Sequence, residues 1–240
     1  MADKNHFPGI DTIKFGENIS IIQKRSTFEN ITVLEVYDKA IDVFRDYYQY
    51  EVIQGADRQK IEKIPEAAFR EAIANALIHR VWDMDSQIRV SMFDDRLEIV
   101  SPGGLPSGIT EEEYLSGKLS ILRNRNLANV FYRFGFVEIF GTSITRIKQL
   151  YAEGLVKPDF EISENAIKII LPIFEKSADL TEDEIVIYKL SSKTMLKPIS
   201  EIAPYAPFGK SKTAKLLKEM CQKGVITVKG NGKGTKYIIR

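Results

Sequence analysis

The clearest hydrophobic pattern in the chain lies at residues 65–80, PEAAFREAIANALIHR. Phe69, Ala72, Ile73, Ala76 and Leu77 recur at the spacing of a buried helical stripe, and Pro65 suits a first-turn position that needs no backbone donor. The pattern predicts a helix around which the rest is organised. Before it, residues 16–22 read as a short extended stretch, and residues 27–50 as a helix with Val36, Ala40, Val43, Phe44 and Tyr47 on one side. Residues 51–64 mix β-branched residues, Gly55 and charges, which fits a hairpin or loop. After it, residues 87–93 and 96–100 alternate apolar and polar across Asp94 and Asp95, a hairpin signature.

The stretch SPGGLPSG, residues 101–108, excludes helix and sheet and leaves backbone amides able to approach a ligand; turning the chain is an equally common use of such glycines. Thr110 before three glutamates reads as an N-cap, residues 124–134 as a helix ended by Gly135, and residues 142–153 as a helix ended by Gly154. Residues 160–162 and 167–173 read as strands. Beyond them Thr181 caps a helix over 182–190, followed by a short helix at 198–205 and a third at 211–223, with Ala214, Leu216, Leu217 and Met220 turned inward. Two strands, 225–228 and 236–239, flank GNGKGT. Three helices and a glycine-tipped hairpin resemble a winged helix-turn-helix. A division into domains at 1–176 and 177–240 follows.

Charge changes this picture more than composition does. The net charge is +1, but from Thr181 onward there are about 12 basic against 5 acidic residues, while the rest is acidic. A neutral total split this way suits a tail that meets a polyanion. Ser211, Lys212, Lys215 and Lys218 on the third helix are the candidates for the groove of double-stranded DNA, with Lys229, Lys233 and Lys236 on the hairpin at phosphates. The competing use of such a module is dimerisation or protein contact, and a homodimer is left open. No apolar run reaches the roughly 18 to 20 residues that span a bilayer, and the start MADKNHFPG lacks a signal-peptide pattern, so a cytoplasmic protein with no membrane partner is expected. Cys221 is the only cysteine, which excludes an intrachain disulfide. FGKS at 208–211 is no phosphate loop, because Pro204 stands where glycine is required.

On the central helix Glu71, Asn75 and His79 are each four residues apart, so a carboxylate, an amide and an imidazole share one ridge. Such a ridge is either a solvated face or a site. FREAIANALIHR, DDRLEIVSPGGLP, RNRNLANVF and GFVEIFGTSITRI together resemble bacterial proteins labelled transcriptional regulators or RecG-related helicases, over most of residues 16–173. That family is similar to the ATPase class of DNA gyrase, the large heat-shock chaperones, sensor histidine kinases and mismatch-repair ATPases (GHKL). The resemblance implies an α/β (α+β) sandwich, a mixed sheet against a helical layer that holds the nucleotide.

It also implies ATP and Mg²⁺, with Glu71 orienting the attacking water and Asn75 on the metal. Ser101, Gly103 and Gly104 would lie at the adenine, and Gly141, Thr142 and Ser143 at the phosphates. The chain departs from that class in three places: Ser101-Pro102-Gly103-Gly104-Leu105 replaces Asp-x-Gly-x-Gly, Gly141-Thr142-Ser143 replaces Gly-x-Gly, and His79-Arg80-Val81-Trp82 replaces His-Arg-Asp-aromatic. The expected function is a nucleotide-responsive DNA-binding regulator, with weak hydrolysis left open. The alternative is a degenerate ATPase-like scaffold for protein contacts. Arg123 and Arg125 read as solvated charges, and Trp82 as a packed side chain.

Overall fold

The computed structural model describes residues 7–54, 57–117, 121–137, 142–174, 180–192 and 194–239, the side chains of 54, 57 and 233 excepted. The chain divides into two compact units, one made of residues 1–152 with 156–174 and the other of 153–155 with 175–240.

The first unit opens with β1 (Ile10–Phe15) and β2 (Ile22–Phe28), followed by α1 (Val33–Tyr48), the hairpin β3 (Gln49–Gln54) and β4 (Asp57–Glu62), and α2 (Glu66–His79). Then come β5 (Ile88–Met92), β6 (Arg96–Pro102), α3 (Glu111–Ser116), α4 (Arg125–Arg133), α5 (Ser143–Leu150), β7 (Asp159–Ile162) and β8 (Ala166–Pro172). Six strands form one mixed sheet in the order β2-β1-β5-β6-β8-β7, in which β1 and β5 run parallel and the other neighbours antiparallel. Period-2 alternation decides its faces. Ile88, Val90, Met92, Leu97, Ile99, Ile169 and Leu171 are buried and share a core with residues of α1, α2, α4 and α5. Along β6 and β8 the intervening residues Glu98 and Lys168 are only partly buried. This is an α+β sandwich of one sheet and one helical layer.

Two expectations change. Residues 16–21 form the turn between β1 and β2, where Ile19 and Ile21 are exposed. The extended pair lies on either side of it. Residues 27–31 belong to the end of β2 and a turn with Asn30 at φ 59°; the helix starts at Val33, because Thr32 and Glu35 close a reciprocal capping box. At the other end of α1 the Tyr48 hydroxyl accepts from the Phe93 N–H at 3.1 Å and lies 2.9 Å from the Phe93 and Arg96 carbonyls, tying the helix to the β5–β6 turn.

The second unit contains α6 (Glu182–Leu190), β9 (Lys197–Pro198), α7 (Ile199–Ile202), a 3-10 turn (Ala203–Tyr205), α8 (Lys210–Gln222), β10 (Ile226–Lys229) and β11 (Lys236–Ile239). Its sheet has the order β10-β11-β9. Ile187, Tyr188, Ile202, Leu216, Leu217, Met220, Ile226 and Ile239 form its core together with Leu155. On α8 the inward residue is Thr213, fully buried with its hydroxyl 3.3 Å from the Gly209 carbonyl, and Ala214 is exposed. Leu216, Leu217 and Met220 are buried as expected, and Thr213 rather than Ala214 completes their face because it lies three and four residues before Leu216 and Leu217.

Candidate functional site

α2 is buried almost all round, from Ala68 through Ile78, because the helical layer flanks it and the sheet lies beneath. The ridge of Glu71 and Asn75 is therefore no solvated face: the residues are 5% and 9% exposed. Glu71 Oε1 is ion-paired with Arg146, 3.1 Å from its Nε, while Oε2 is buried without a hydrogen-bond partner among the described residues. The Asn75 side-chain amide borders a cleft lined by Ala76, His79, Ile99, Ser101, Tyr114, Ile167 and Ile169. The cleft holds about 10 Å³, the room of a single water.

Around this cleft several groups are already engaged. The Ser101 hydroxyl donates to the Ala76 carbonyl at 3.0 Å, so only its lone pairs remain. The amides of Gly103 and Gly104, expected to be free, donate to the Asn165 carbonyl at 2.8 Å and the Glu164 carbonyl at 3.0 Å. Those bonds lock the loop onto the β7–β8 turn. Gly103 has φ +96°, and a Cβ there would overlap Val81 and Arg123; at Gly104 a Cβ would run into the Ser163 and Glu164 carbonyls. Glycine here permits close packing of two turns.

His79 closes the ridge. Burial pulls its imidazole down to about 4, the Arg123 charge pushes the same way, and a hydrogen bond to the Ile121 backbone opposes them. It is a neutral wall of the cleft at ordinary pH. Arg123 reaches the end of α2, its Nη1 donating to the His79 carbonyl at 2.9 Å. Opposite, burial raises the Tyr114 phenol to about 12. Arg80 is fully buried between Phe7 and Trp82, with ring centroids 5.1 and 5.4 Å from its guanidinium carbon, and its Nη2 donates to the Met84 carbonyl at 2.8 Å. Sequence reasoning placed Trp82 as packed; it gave no sign of the buried arginine beneath it.

Thr142 is the N-cap of α5 without a side-chain capping bond, and Ser143 is buried at the first position. Gly141 lies outside the described residues. α5 packs on α2 and brings Arg146 to Glu71. Arg146 was missed, because only tertiary packing joins it to the ridge. A hydrated divalent cation suits this corner in one respect: an amide oxygen and a buried carboxylate oxygen are hard ligands. Among the described residues no group of three His, Cys, Asp or Glu assembles a metal site by itself, so the remaining ligands would be waters and ligand oxygens.

In the second unit Ser211, Lys212, Lys215 and Lys218 all lie on the exposed side of α8. Lys212 pairs with Asp183 at 2.5 Å and lies 4.8 Å from the Phe208 ring centroid; Lys215 stands 3.8 Å from Glu219. Lys229 and Lys236 face each other across β10 and β11, and both are exposed. The Lys233 side chain lies outside the described residues.

Residues 85–171 match a family model described as "Putative ATP-dependent DNA helicase recG C-terminal". The match starts after α2 and so does not reach Glu71 or Asn75. A solved structure, the DIP2311 protein from Corynebacterium diphtheriae, is similar with a TM-score of 0.63 at 22% identity, over 97% of this chain and 51% of that one. The chain spans about half the length of that protein, and at this identity the likeness is one of fold. No curated protein matches the chain. Among the described residues no helix is long and apolar enough to cross a membrane. Taken with the mixed sheet under a helical layer, the family match supports a RecG-related, ATPase-like domain in the first unit.

Proposed function

We propose that this chain is a nucleotide-responsive, DNA-binding transcription regulator, in which the first unit binds Mg-ATP or ADP and the second binds duplex DNA. One observation carries the nucleotide half: on a buried helix the Glu71 Oε2 atom has no hydrogen-bond partner among the described residues, one helical turn from Asn75, which lines the cleft. Leaving a buried polar atom unpaired costs about 1 to 3 kcal/mol, so such an atom is maintained where a ligand completes it. Asn75 would hold the metal, Glu71 would face the water beside it, and Thr142 and Ser143 at the start of α5 would meet phosphate oxygens. Ser101, Gly103 and Gly104 would shape the wall against the base, with Ser101 accepting one hydrogen bond.

The DNA half is supported by the order helix, short strand, helix, helix and hairpin with a three-stranded sheet, an order compatible with a winged helix-turn-helix. It is supported also by Lys229 and Lys236, like charges placed directly opposite each other, an arrangement that destabilises a hairpin unless an anion lies across it.

The test of the nucleotide half is thermal unfolding of the full chain with and without millimolar Mg-ATP or Mg-ADP. At about a hundredfold the dissociation constant, a ligand adds roughly 2.7 kcal/mol, or roughly 5 to 10 °C in midpoint. Asn75→Ala should abolish that shift. A second reading, an ATPase-like scaffold that takes no nucleotide, is favoured by the engaged Ser101 hydroxyl, the engaged Gly103 and Gly104 amides and the cleft of about 10 Å³. No shift in the parent, with Asn75→Ala unfolding like it, selects that reading.

A further inference from the structure

The two oxygens of Glu71 stand in different surroundings. Oε1 is ion-paired with Arg146, 3.1 Å from its Nε; Oε2 is sealed from solvent without a hydrogen-bond partner among the described residues. The Glu71 side chain is 7% exposed and that of Arg146 is 44%, so the cation comes from the solvent side and the anion from within. The guanidinium charge beside Oε1 favours the carboxylate and occupies the solvent side of that oxygen. A group that takes a proton from water needs an oxygen within hydrogen-bond reach of that water. Here one oxygen faces a cation and the other is enclosed.

The cation belongs to an exposed side chain on an anchored helix. α5 has eight residues, its N-cap Thr142 contributes no side-chain bond, and its buried residues are Ser143, Ile144 and Ile147. A swing of the Arg146 side chain, 44% exposed, into solvent would leave Glu71 open on the side of Oε1 without moving α5. Resting on the nucleotide-binding reading above, we propose that Arg146 is a positioning residue that holds Glu71 away from water, so that the chain binds nucleotide with little turnover and hydrolysis requires release of this pair. In that hydrolysis a water oxygen bonds to the γ-phosphorus and the bond to the β–γ bridging oxygen breaks. Its electron pair leaves on ADP, and the water's proton passes to the Glu71 carboxylate.

The experiment compares the full-length parent with R146Q, R146K, R146M and the double variant R146Q/E71Q. Nucleotide affinity is measured by titration with a fluorescent ATP analogue, and turnover by phosphate release. R146Q and R146M should bind within about twofold of the parent and release phosphate about tenfold faster or more, a modest part of what a positioned base contributes. R146K keeps a cation beside Glu71 and should stay near the parental rate. R146Q/E71Q should return to that rate, which ties the gain to Glu71. Binding without any gain in R146Q or R146M overturns the inference and leaves nucleotide binding intact; so does failure of both to fold, which makes Arg146 structural. No binding by the parent overturns both.

Discussion

At the scale of single residues, the first unit contains groups whose surroundings fix their chemistry. His79 is held neutral by burial, its value lowered from 6.5 to about 4. The sign follows: below pH 6.5 the unfolded chain binds a proton that the folded chain refuses, so stability present above pH 6.5 is lost as the pH falls towards 4. Glu66 adds a second, lower window. Its carboxylate accepts from Arg45 at 2.6 and 3.0 Å and from Gln49 at 2.6 Å, and the Arg45 bond above all holds it at about 2 against its ordinary 4.5, so its contribution fades between pH 4.5 and 2. Denaturant titrations across pH should show the upper loss flattened by His79→Gln and the lower one by Glu66→Gln. Gly103 supplies a steric counterpart. Alanine there meets both a positive φ and the Val81 side chain, so Gly103→Ala should cost on the order of 3 kcal/mol in urea unfolding. An unchanged midpoint would mean that the two turns can separate freely.

At the scale of elements, what the sequence made legible was whatever is decided locally. Thr110 and Thr181 are N-caps where the pattern predicts them, and each also closes a reciprocal capping box with the glutamate three residues on. In α6 that glutamate is Glu184, 1% exposed, whose Oε2 takes the Thr181 N–H and Lys223 Nζ at 2.7 Å each. Burial alone would raise its carboxyl, but the Lys223 and Thr181 bonds outweigh it and keep it below the ordinary range. Thr181→Ala should therefore cost about 1 to 2 kcal/mol, read from unfolding of the full chain. β1 was illegible for the opposite reason. IDTIKF carries buried Asp11, Thr12 and Lys14, which the neighbouring chain satisfies: Asp11 accepts two bonds from Arg25, and Lys14 pairs with Asp94. The apolar NISII beside it drew the prediction into what is a turn. On α2 the Glu71–Asn75 spacing was legible as a ridge, but its burial was not, since that depends on α5 packing against it from far along the chain.

At the scale of the whole molecule, the separation of charge between the two units is the feature that a single folded core would not require. The basic unit exposes Lys215 and Lys218 on α8 and sets Lys229 opposite Lys236 on its hairpin. Lys212 is already held by Asp183, so it reaches a nucleic acid only by leaving that partner. If the unit binds duplex DNA, the affinity is governed by phosphates neutralised, and each lost contact lowers the slope of log affinity against log salt by about 0.9. Lys229→Ala with Lys236→Ala should flatten that slope by roughly 1.8 while leaving sequence preference intact, because phosphate contacts carry no base information. Ser211→Ala should act differently, altering preference between duplexes with little change of slope, since the start of α8 would meet base edges if this helix enters the groove. The same pair of lysines makes an independent prediction without DNA. With the like charges removed from opposite positions, the double variant should unfold at a slightly higher temperature than the parent at low salt, and the difference should shrink as salt screens the repulsion. A variant that is more stable yet binds duplex with undiminished affinity and unchanged salt slope would detach the hairpin from DNA and leave its lysines for another anionic partner.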